Sequence, residues 1–166
     1  MNPDQQWRAC PQSLEIDDGA RRVVLEKHPR FFALEGSIPP AWSAEVTERL
    51  NDDLAILRGP PPAGETAKVK VLPIYTAGER SPPAIASGRL FLRLASGAQA
   101  RALGSRLAAL GLDVVEVPAW APECAWLAPR SGIAAHALGR LDEVRALPGV
   151  VRVEPELLRQ MTRKLP

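Results

Sequence analysis

Hydrophobic and polar residues follow their most regular pattern in the second half of the chain. Leu90, Leu92 and Leu94 occupy every second position of residues 89–94, which predicts a strand with one apolar face. Residues 98–110 carry apolar side chains at helical spacing, and the stretch stops at a glycine. The change from one period to the other predicts that a helix follows the strand.

The rest of this half continues the same alternation. Residues 112–117 and 124–128 are short apolar runs that we predict as strands, and residues 133–147 carry a second helical stripe. A Pro-Gly pair ends that helix, and residues 150–153 form the last predicted strand. The order strand, helix, strand, strand, helix, strand predicts an α+β fold. We expect a ferredoxin-like βαββαβ sandwich, with an antiparallel sheet and two helices on one face.

The first half of the chain is less regular. Residues 1–18 are polar and unpatterned, so we expect a loose N-terminal tail. Two short strands, at residues 23–25 and 31–34, are predicted on either side of a turn at Pro29.

Proline-rich segments divide the next part of the chain. Residues 41–50 are predicted as a short helix, 54–57 as a brief strand and 67–76 as a strand at a sheet edge. Prolines at 60–62 and 82–83 indicate linkers. The expected division is an N-terminal α/β extension at residues 19–83, a ferredoxin-like domain at 84–155 and a C-terminal tail at 156–166.

Composition limits the classes of function. The chain has 166 residues, 46% of them hydrophobic and 24% charged, which is ordinary for a globular protein. Its net charge of +2 is too balanced to predict a nucleic-acid partner. The first residues contain no apolar stretch resembling a signal peptide, and no window is long and apolar enough for a membrane helix. We therefore expect a cytoplasmic protein, as the sequence is given, with neither nucleic acid nor membrane as partner.

The residues that usually carry chemistry are few and scattered. His28 and His136 lack a nucleophile motif, and the sequence has no glycine-rich phosphate loop. Cys10 and Cys124 lie far apart, with no metal-ligand spacing, and Cys124 is predicted to be a small apolar strand residue. We expect no enzyme activity, no catalytic residue, no cofactor and no metal.

Residues 71–155 resemble the inhibitory propeptide of bacterial subtilisin-type serine proteases. The resembling segments are 71–75, 89–94, 106–115 and 147–155. The last of these segments is the most specific, because a helix end followed by Leu-Pro-Gly-Val and a strand ending in Glu-Pro is typical of that family. The resemblance covers about half of the chain.

This resemblance implies a protease-binding role. The sheet face bearing Arg89, Phe91 and Arg93 would dock on the protease, and Glu154 and Glu156 would cap helix N-termini of the partner. The C-terminal tail would lie in the substrate groove, where its candidate contact residues are Met161, Thr162, Arg163, Lys164 and Leu165. Propeptides of this family also assist the folding of their protease. The alternative is a stand-alone ferredoxin-like interaction or regulatory module.

Overall fold

The computed structural model describes residues 1–63 and 68–159, and these residues form an α+β fold with a large antiparallel sheet and few helices. The expected α+β class is confirmed. The nine strands of the described residues are β1 (Ser13–Asp18), β2 (Arg21–Glu35), β3 (Val46–Arg49), β4 (Leu54–Arg58), β5 (Lys70–Thr76), β6 (Ala84–Leu94), β7 (Leu112–Glu116), β8 (Cys124–Pro129) and β9 (Val150–Arg159). The helices are α1 (Pro3–Ala9), α2 (Gly104–Ala109), α3 (Ala134–Leu138) and α4 (Leu141–Arg145), with 3₁₀ turns at Pro40–Glu45 and Ala100–Leu103.

A single sheet runs through both halves of the chain. Its main path is β3-β4-β2-β5-β6-β8-β7, while β1 pairs with β2 and β9 pairs with β6. Strand β6 joins the halves, because its first residues pair with β5 and its last residues pair with β8. Strand β9 follows the other edge of β6 from Ala84 to Leu94.

The second half supplies most of the main core. Leu90, Leu92 and Leu94 of β6 are buried, as the alternation predicts. They pack with Leu107 of α2 and Val144 of α4. The helix predicted over residues 133–147 is two short helices, α3 and α4, because the chain turns between them at a glycine, the weakest helix former after proline.

Gly88 creates an irregularity at which α3 approaches β6. The pairing of β6 with β9 shifts register between Ala86 and Leu90, and Gly88 has φ of 86°. A Cβ atom added to Gly88 would lie 2.7 Å from the Cα atom of Ala134. Glycine is therefore required here both for its backbone angle and for the close packing of the helix.

Residues 1–18 are ordered, so the expectation of a loose tail is wrong. Asn2 caps α1 by accepting a hydrogen bond from the Gln5 amide, and the Gln5 side chain accepts one from the Asn2 amide. The side chain of Gln6 then bonds to the backbone of β5, and Leu14 and Ile16 of β1 enter the main core. The sequence shows no regular apolar pattern in this segment, because the residues that anchor it are polar or widely spaced.

The two short strands predicted around Pro29 are one long strand, β2. Its pairing with β5 is interrupted between Lys27 and Phe32, and Pro29 lies within this interruption, where its missing amide donor is tolerated. The helix predicted over residues 41–50 is also wrong in part. It consists of a 3₁₀ turn followed by strand β3, whereas the strand predicted over residues 54–57 is confirmed as β4.

Strand β5 is internal to the sheet, so the edge position predicted for residues 67–76 is wrong. It pairs with both β2 and β6, and residues 71–75 are buried. The backbone N–H of Val71 donates to Oε1 of Gln6 and is not used to pair with a strand. Pro73 lies two residues further along β5, so its nitrogen faces the same side of the strand as that of Val71. The missing N–H of Pro73 therefore removes no hydrogen bond between strands.

Strand β9 extends further than predicted, through Arg159, so residues 156–159 belong to the sheet and not to a tail. The first part of β9 also lies beside β1. The Asp17 amide donates to the Glu154 carboxylate at 3.3 Å, and Arg152 donates to the Asp17 carbonyl oxygen at 3.4 Å. The hairpin of β1 and β2 therefore shields the edge of β9 that faces away from β6.

Lys27 attaches α1 to the sheet. Its side chain is 6% exposed, and Nζ donates to the carbonyl oxygens of Trp7 and Cys10, at 3.0 Å in each case. Nζ also lies 4.5 Å from the centre of the Trp7 ring. Burial lowers the pKa of Lys27, an effect that the nearby Cys10 thiol opposes. The lysine thus supplies a charged donor to two carbonyl groups at the end of the helix, where cations are favourable.

Candidate functional site

The strands β6, β7, β8 and β9 present one face to the helices, and no helix of residues 1–63 and 68–159 covers the other face. We call this second face the open face. It is formed by Arg89, Phe91, Arg93, Asp113, Glu116, Trp126, Ala128, Arg152, Glu154 and Glu156. The alternation that buries Leu90 and Leu92 places their neighbours on this side.

An aromatic pair occupies the middle of the open face. Phe91 of β6 is directly opposite Trp126 of β8, and their ring centres are 5.2 Å apart at an angle of 62°. The guanidinium group of Arg89 lies 4.8 Å from the centre of the Trp126 ring. Both rings are only partly buried. Edge-to-face aromatic contacts and a stacked arginine hold these side chains in place without covering them.

Arg89 also connects two carboxylates at one end of the open face. Its guanidinium nitrogens lie 3.7 Å from Glu116 and 3.8 Å from Glu156. Glu156 in addition accepts a hydrogen bond of 2.5 Å from the Ser87 hydroxyl. Arg89 therefore has its charge balanced within the chain, while its planar group stacks on Trp126.

The other end of the open face is more basic. Arg152 forms an ion pair of 3.6 Å with Glu154, whose side chain is largely buried beside the Asp17 amide. Arg93 is exposed and forms no ion pair among residues 1–63 and 68–159. Of the three arginines on this face, Arg93 is the one whose charge is most available to a partner.

Asp113 and Arg130 close the face on the β7 side. Nη2 of Arg130 donates to Asp113 at 2.7 Å, and this hydrogen bond lowers the pKa of the Asp113 carboxyl group. The same contact raises the pKa of Arg130. Both side chains are exposed to solvent, so the ion pair contributes little to stability and mainly orients the two groups.

The structure brings together three of the residues predicted to bind a protease. Phe91 and Glu154 are register partners between β6 and β9, and Glu156 lies on the same face through its contact with Arg89. The predicted tail contacts, Met161, Thr162, Arg163, Lys164 and Leu165, lie outside the described residues.

The sequence alone does not identify Trp126 as part of this surface. Its place on the open face follows from strand pairing, because residue 126 is opposite Phe91 in the register of β6 and β8. The alternation of Cys124, Trp126 and Ala128 was the available signal, but it does not show which strand lies beside which.

The histidines and cysteines serve local packing in this structure. His136 Nδ1 lies 2.6 Å from Ser131 Oγ, which also accepts the Ile133 amide in a turn before α3. His28 Nδ1 accepts the Arg30 amide, and burial lowers the pKa of His28. Both cysteines are free thiols, and both are buried.

No cluster of three or more metal-binding side chains occurs within residues 1–63 and 68–159. In the same part of the chain, none of the helices combines the length and apolar character required to span a bilayer. A surface depression of about 430 Å³ lies beside the interruption in β2, lined by residues that include Glu26, His28 and Glu79, and it is separate from the open face. The open face is the surface with the clearest side-chain organisation.

Comparison with known proteins adds no relationship: no family model matches the chain, and neither a curated protein nor a solved structure does so.

Proposed function

We propose that this chain is a propeptide-type inhibitor of a subtilisin-type serine protease and that it binds the protease through the open face. The observation that carries the proposal is the partly exposed pair of Phe91 and Trp126, with Arg89 over the Trp126 ring, at the centre of the open face. Aromatic residues and arginine dominate the energetic centres of protein interfaces. The resemblance of residues 71–155 to such propeptides supplies the class of partner.

The strand order supports this proposal. Strands β9-β6-β8-β7 are neighbours in that order, all antiparallel, with α2 between β6 and β7 and with α3 and α4 between β8 and β9. We interpret this part of the sheet as the ferredoxin-like βαββαβ unit expected from the sequence. In such a unit one face is covered by helices, and the other is free to pack against elements of a partner.

The composition of the open face favours a protein partner. Its centre is aromatic, and its margin carries both signs of charge, as is common where two proteins meet. A complex of standard size would bury about 800 Å² on each partner. A nucleic-acid partner is less compatible, because Glu116, Glu154, Glu156 and Asp113 place negative charge around the aromatic pair.

The two glutamates have a smaller part in this proposal than the sequence suggested. Glu154 is already engaged by the Asp17 amide and Arg152, and Glu156 by Ser87 and Arg89. Capping a partner helix would require one of these contacts to be shared. The affinity is therefore expected to rest mainly on the aromatic pair, on Arg93 and on the tail.

The test is inhibition of the catalytic domain of a subtilisin-type protease encoded beside this chain. We expect sub-micromolar inhibition by residues 1–166 and much weaker inhibition by residues 1–159, since the shorter version keeps all of β9 but lacks the tail. Arg93→Glu should weaken inhibition by about tenfold, the effect of roughly 1.4 kcal/mol lost at an interface.

The matched control is Arg106→Glu. Arg106 is also exposed, but it lies on α2, in the helix layer opposite the open face. If this variant inhibits as well as the unaltered chain while Arg93→Glu inhibits less well, the result would favour contact of the protease with the open face over contact with the helix layer. Absence of inhibition and of complex formation by the full chain would reject the proposal, and a symmetric dimer through the open face would favour the stand-alone module instead.

A further inference from the structure

The loop between β7 and β8 is apolar although it lies at the surface. Residues 117–122 read Val-Pro-Ala-Trp-Ala-Pro, and no charged or hydrogen-bonding side chain other than the indole occurs between Glu116 and Glu123. Surface loops are normally rich in polar residues, which keep their backbone solvated and the chain soluble. An apolar loop of this kind is costly for solubility unless a partner covers it.

Backbone contacts hold this loop in one conformation. The amide of Ala121 donates to the Pro118 carbonyl oxygen at 3.0 Å, and the Ala121 carbonyl oxygen accepts the Cys124 amide at 3.0 Å. Ala121 itself is buried. These contacts join the middle of the loop to its own ends.

The loop is also joined to neighbouring elements. The carbonyl oxygen of Pro122 accepts the Ala100 amide at 2.9 Å, and that of Glu123 accepts the Leu94 amide at 2.9 Å. The loop is therefore attached to the 3₁₀ turn before α2 and to the end of β6. A loop held in this way would lose little conformational entropy on binding.

This rigid loop presents a tryptophan to solvent. Trp120 is 87% exposed, the highest value among the large apolar residues of the described chain. Val115, at the end of β7 that leads into the loop, is 53% exposed. Tryptophan residues that are exposed on a rigid support are frequent anchors in protein interfaces.

The position of Trp120 relates it to the proposed interface. Its loop follows Glu116 and precedes Trp126, both on the open face, and it lies at the end of β6 that carries Leu94. Strand β9 ends at the opposite end of β6, where Arg159 pairs with Ala84. Ten strand residues span roughly 30 Å, so the loop and the tail would contact a partner at widely separated points.

We propose that Trp120 is a second anchor for the same protein partner and that it inserts into an apolar pocket at the end of the interface remote from the tail. This inference rests on the proposed function. The pocket should be lined by aliphatic or aromatic side chains and should offer an oxygen to the indole N–H of Trp120, whose side chain is exposed to solvent in the free chain. The open face lies between this anchor and Arg159, the last residue of β9.

A lipid surface is the other environment that accepts exposed tryptophan, but the loop does not favour it. Interfacial membrane segments combine several large apolar residues with lysine or arginine. Residues 117–122 contain one large aromatic side chain and no basic residue, and the loop is flanked by Glu116 and Glu123. The same charges do not oppose insertion into an apolar protein pocket.

The test compares Trp120→Ala with the unaltered chain in inhibition of the same protease catalytic domain. We expect the inhibition constant to rise at least about tenfold, as for a central interface residue. Val24→Ala is the control, because Val24 is 50% exposed on β2 and lies on the β1–β2 hairpin. Far-ultraviolet circular dichroism spectra should be the same for all three proteins, since Trp120 is exposed and belongs to none of the core clusters.

Each outcome distinguishes this inference from the proposed function. If the unaltered chain inhibits and Trp120→Ala inhibits equally well, the anchor is rejected while the proposed function stands. If the unaltered chain does not inhibit, both are rejected. Binding of the unaltered chain, but not of Trp120→Ala, to phosphatidylcholine vesicles would also overturn the anchor, in favour of a lipid surface.

Discussion

Gly88 in β6 lies directly beneath Ala134, the first residue of α3, so closely that a Cβ atom on the glycine would be 2.7 Å from the Cα of the alanine. We expect Gly88→Ala to lower the free energy of unfolding by about 2–5 kcal/mol. About 1–2 kcal/mol would come from the left-handed backbone and the rest from overpacking. Urea denaturation of the two proteins measures the difference.

Gly97→Ala is a matched control for this substitution. Gly97 has the same φ of 86°, but an added Cβ atom would meet nothing within 4 Å. The loss of unfolding free energy in Gly97→Ala should therefore reflect the cost of the backbone angle alone, without the clash. Equal losses in the two variants would contradict the close packing of α3 on β6.

Tyr75 predicts a loss of stability at alkaline pH. Its hydroxyl group donates to the Pro11 carbonyl oxygen at 2.7 Å, and burial raises its pKa well above the usual value of about 10. Because the folded pKa is raised, the stabilisation is complete below pH ~10 and is lost as the pH rises above it. The urea concentration at the midpoint of unfolding should decrease as the pH is raised beyond that value. The decrease should be smaller in Tyr75→Phe.

Tyr75→Phe should also cost about 1–2 kcal/mol at pH 8, because the Pro11 carbonyl oxygen loses its partner. Part of the loss of stability at alkaline pH should remain in Tyr75→Phe. Burial raises the pKa of the Cys10 thiol to about 12, so this group also destabilises the fold as the pH rises above ~9. An unchanged alkaline slope in Tyr75→Phe would contradict the burial of the phenol.

Removal of the Lys27 amine should loosen the attachment of α1 to the sheet, although the hydrogen bonds of Gln6 remain. In Lys27→Met the carbonyl oxygens of Trp7 and Cys10 lose a charged donor, a loss of about 1.5–3 kcal/mol. The Cys10 thiol should then react with a disulfide reagent at least about tenfold faster at pH 8 in a Cys124→Ala background. Arg106→Met, on the distant α2, should leave that rate unchanged. Equal rates in the two variants would show that Lys27 does not hold the helix.

The N-terminal strands should be needed for the stability of the second half. Leu14, Ile16, Leu25 and Tyr75 belong to the same core as the leucines of β6. A fragment of residues 78–166 would expose this core, so we expect it to lack cooperative urea unfolding and near-ultraviolet circular dichroism. Two-state unfolding of the fragment with the stability of the full chain would contradict the shared core.

The parts of the fold that the sequence predicted are those in which one face of an element is buried. Leu90, Leu92 and Leu94 alternate because the helices cover only one side of β6. Strand β2 was divided in the prediction because Pro29 usually ends a strand, whereas an interruption in the pairing accommodates it. Such an interruption depends on a neighbouring strand and leaves no periodic signal.

The candidate site was partly predictable for a related reason. Phe91 belongs to a regular alternation, so its face could be assigned, but its contact with Trp126 depends on the register between two strands separated by 35 positions. The ordering of residues 1–18 is signalled locally by the Asn2 and Gln5 cap and by Gly19 in the turn that follows β1. The attachment of α1 by Lys27 requires Trp7, Cys10 and Lys27 to lie close together, and the sequence does not show that they do.

The place of β9 in the sheet has a consequence for synthesis of the chain. Strand β6 pairs with β5 and β8 along one edge and with β9, which is made last, along the other. During translation the hairpins β1–β2 and β7–β8 can form from neighbouring residues, while one entire edge of β6 waits for residues 150–159 to leave the ribosome. Until then an apolar strand with unpaired amide groups is exposed, so slow synthesis over the last helix would prolong the interval in which the nascent chain can aggregate.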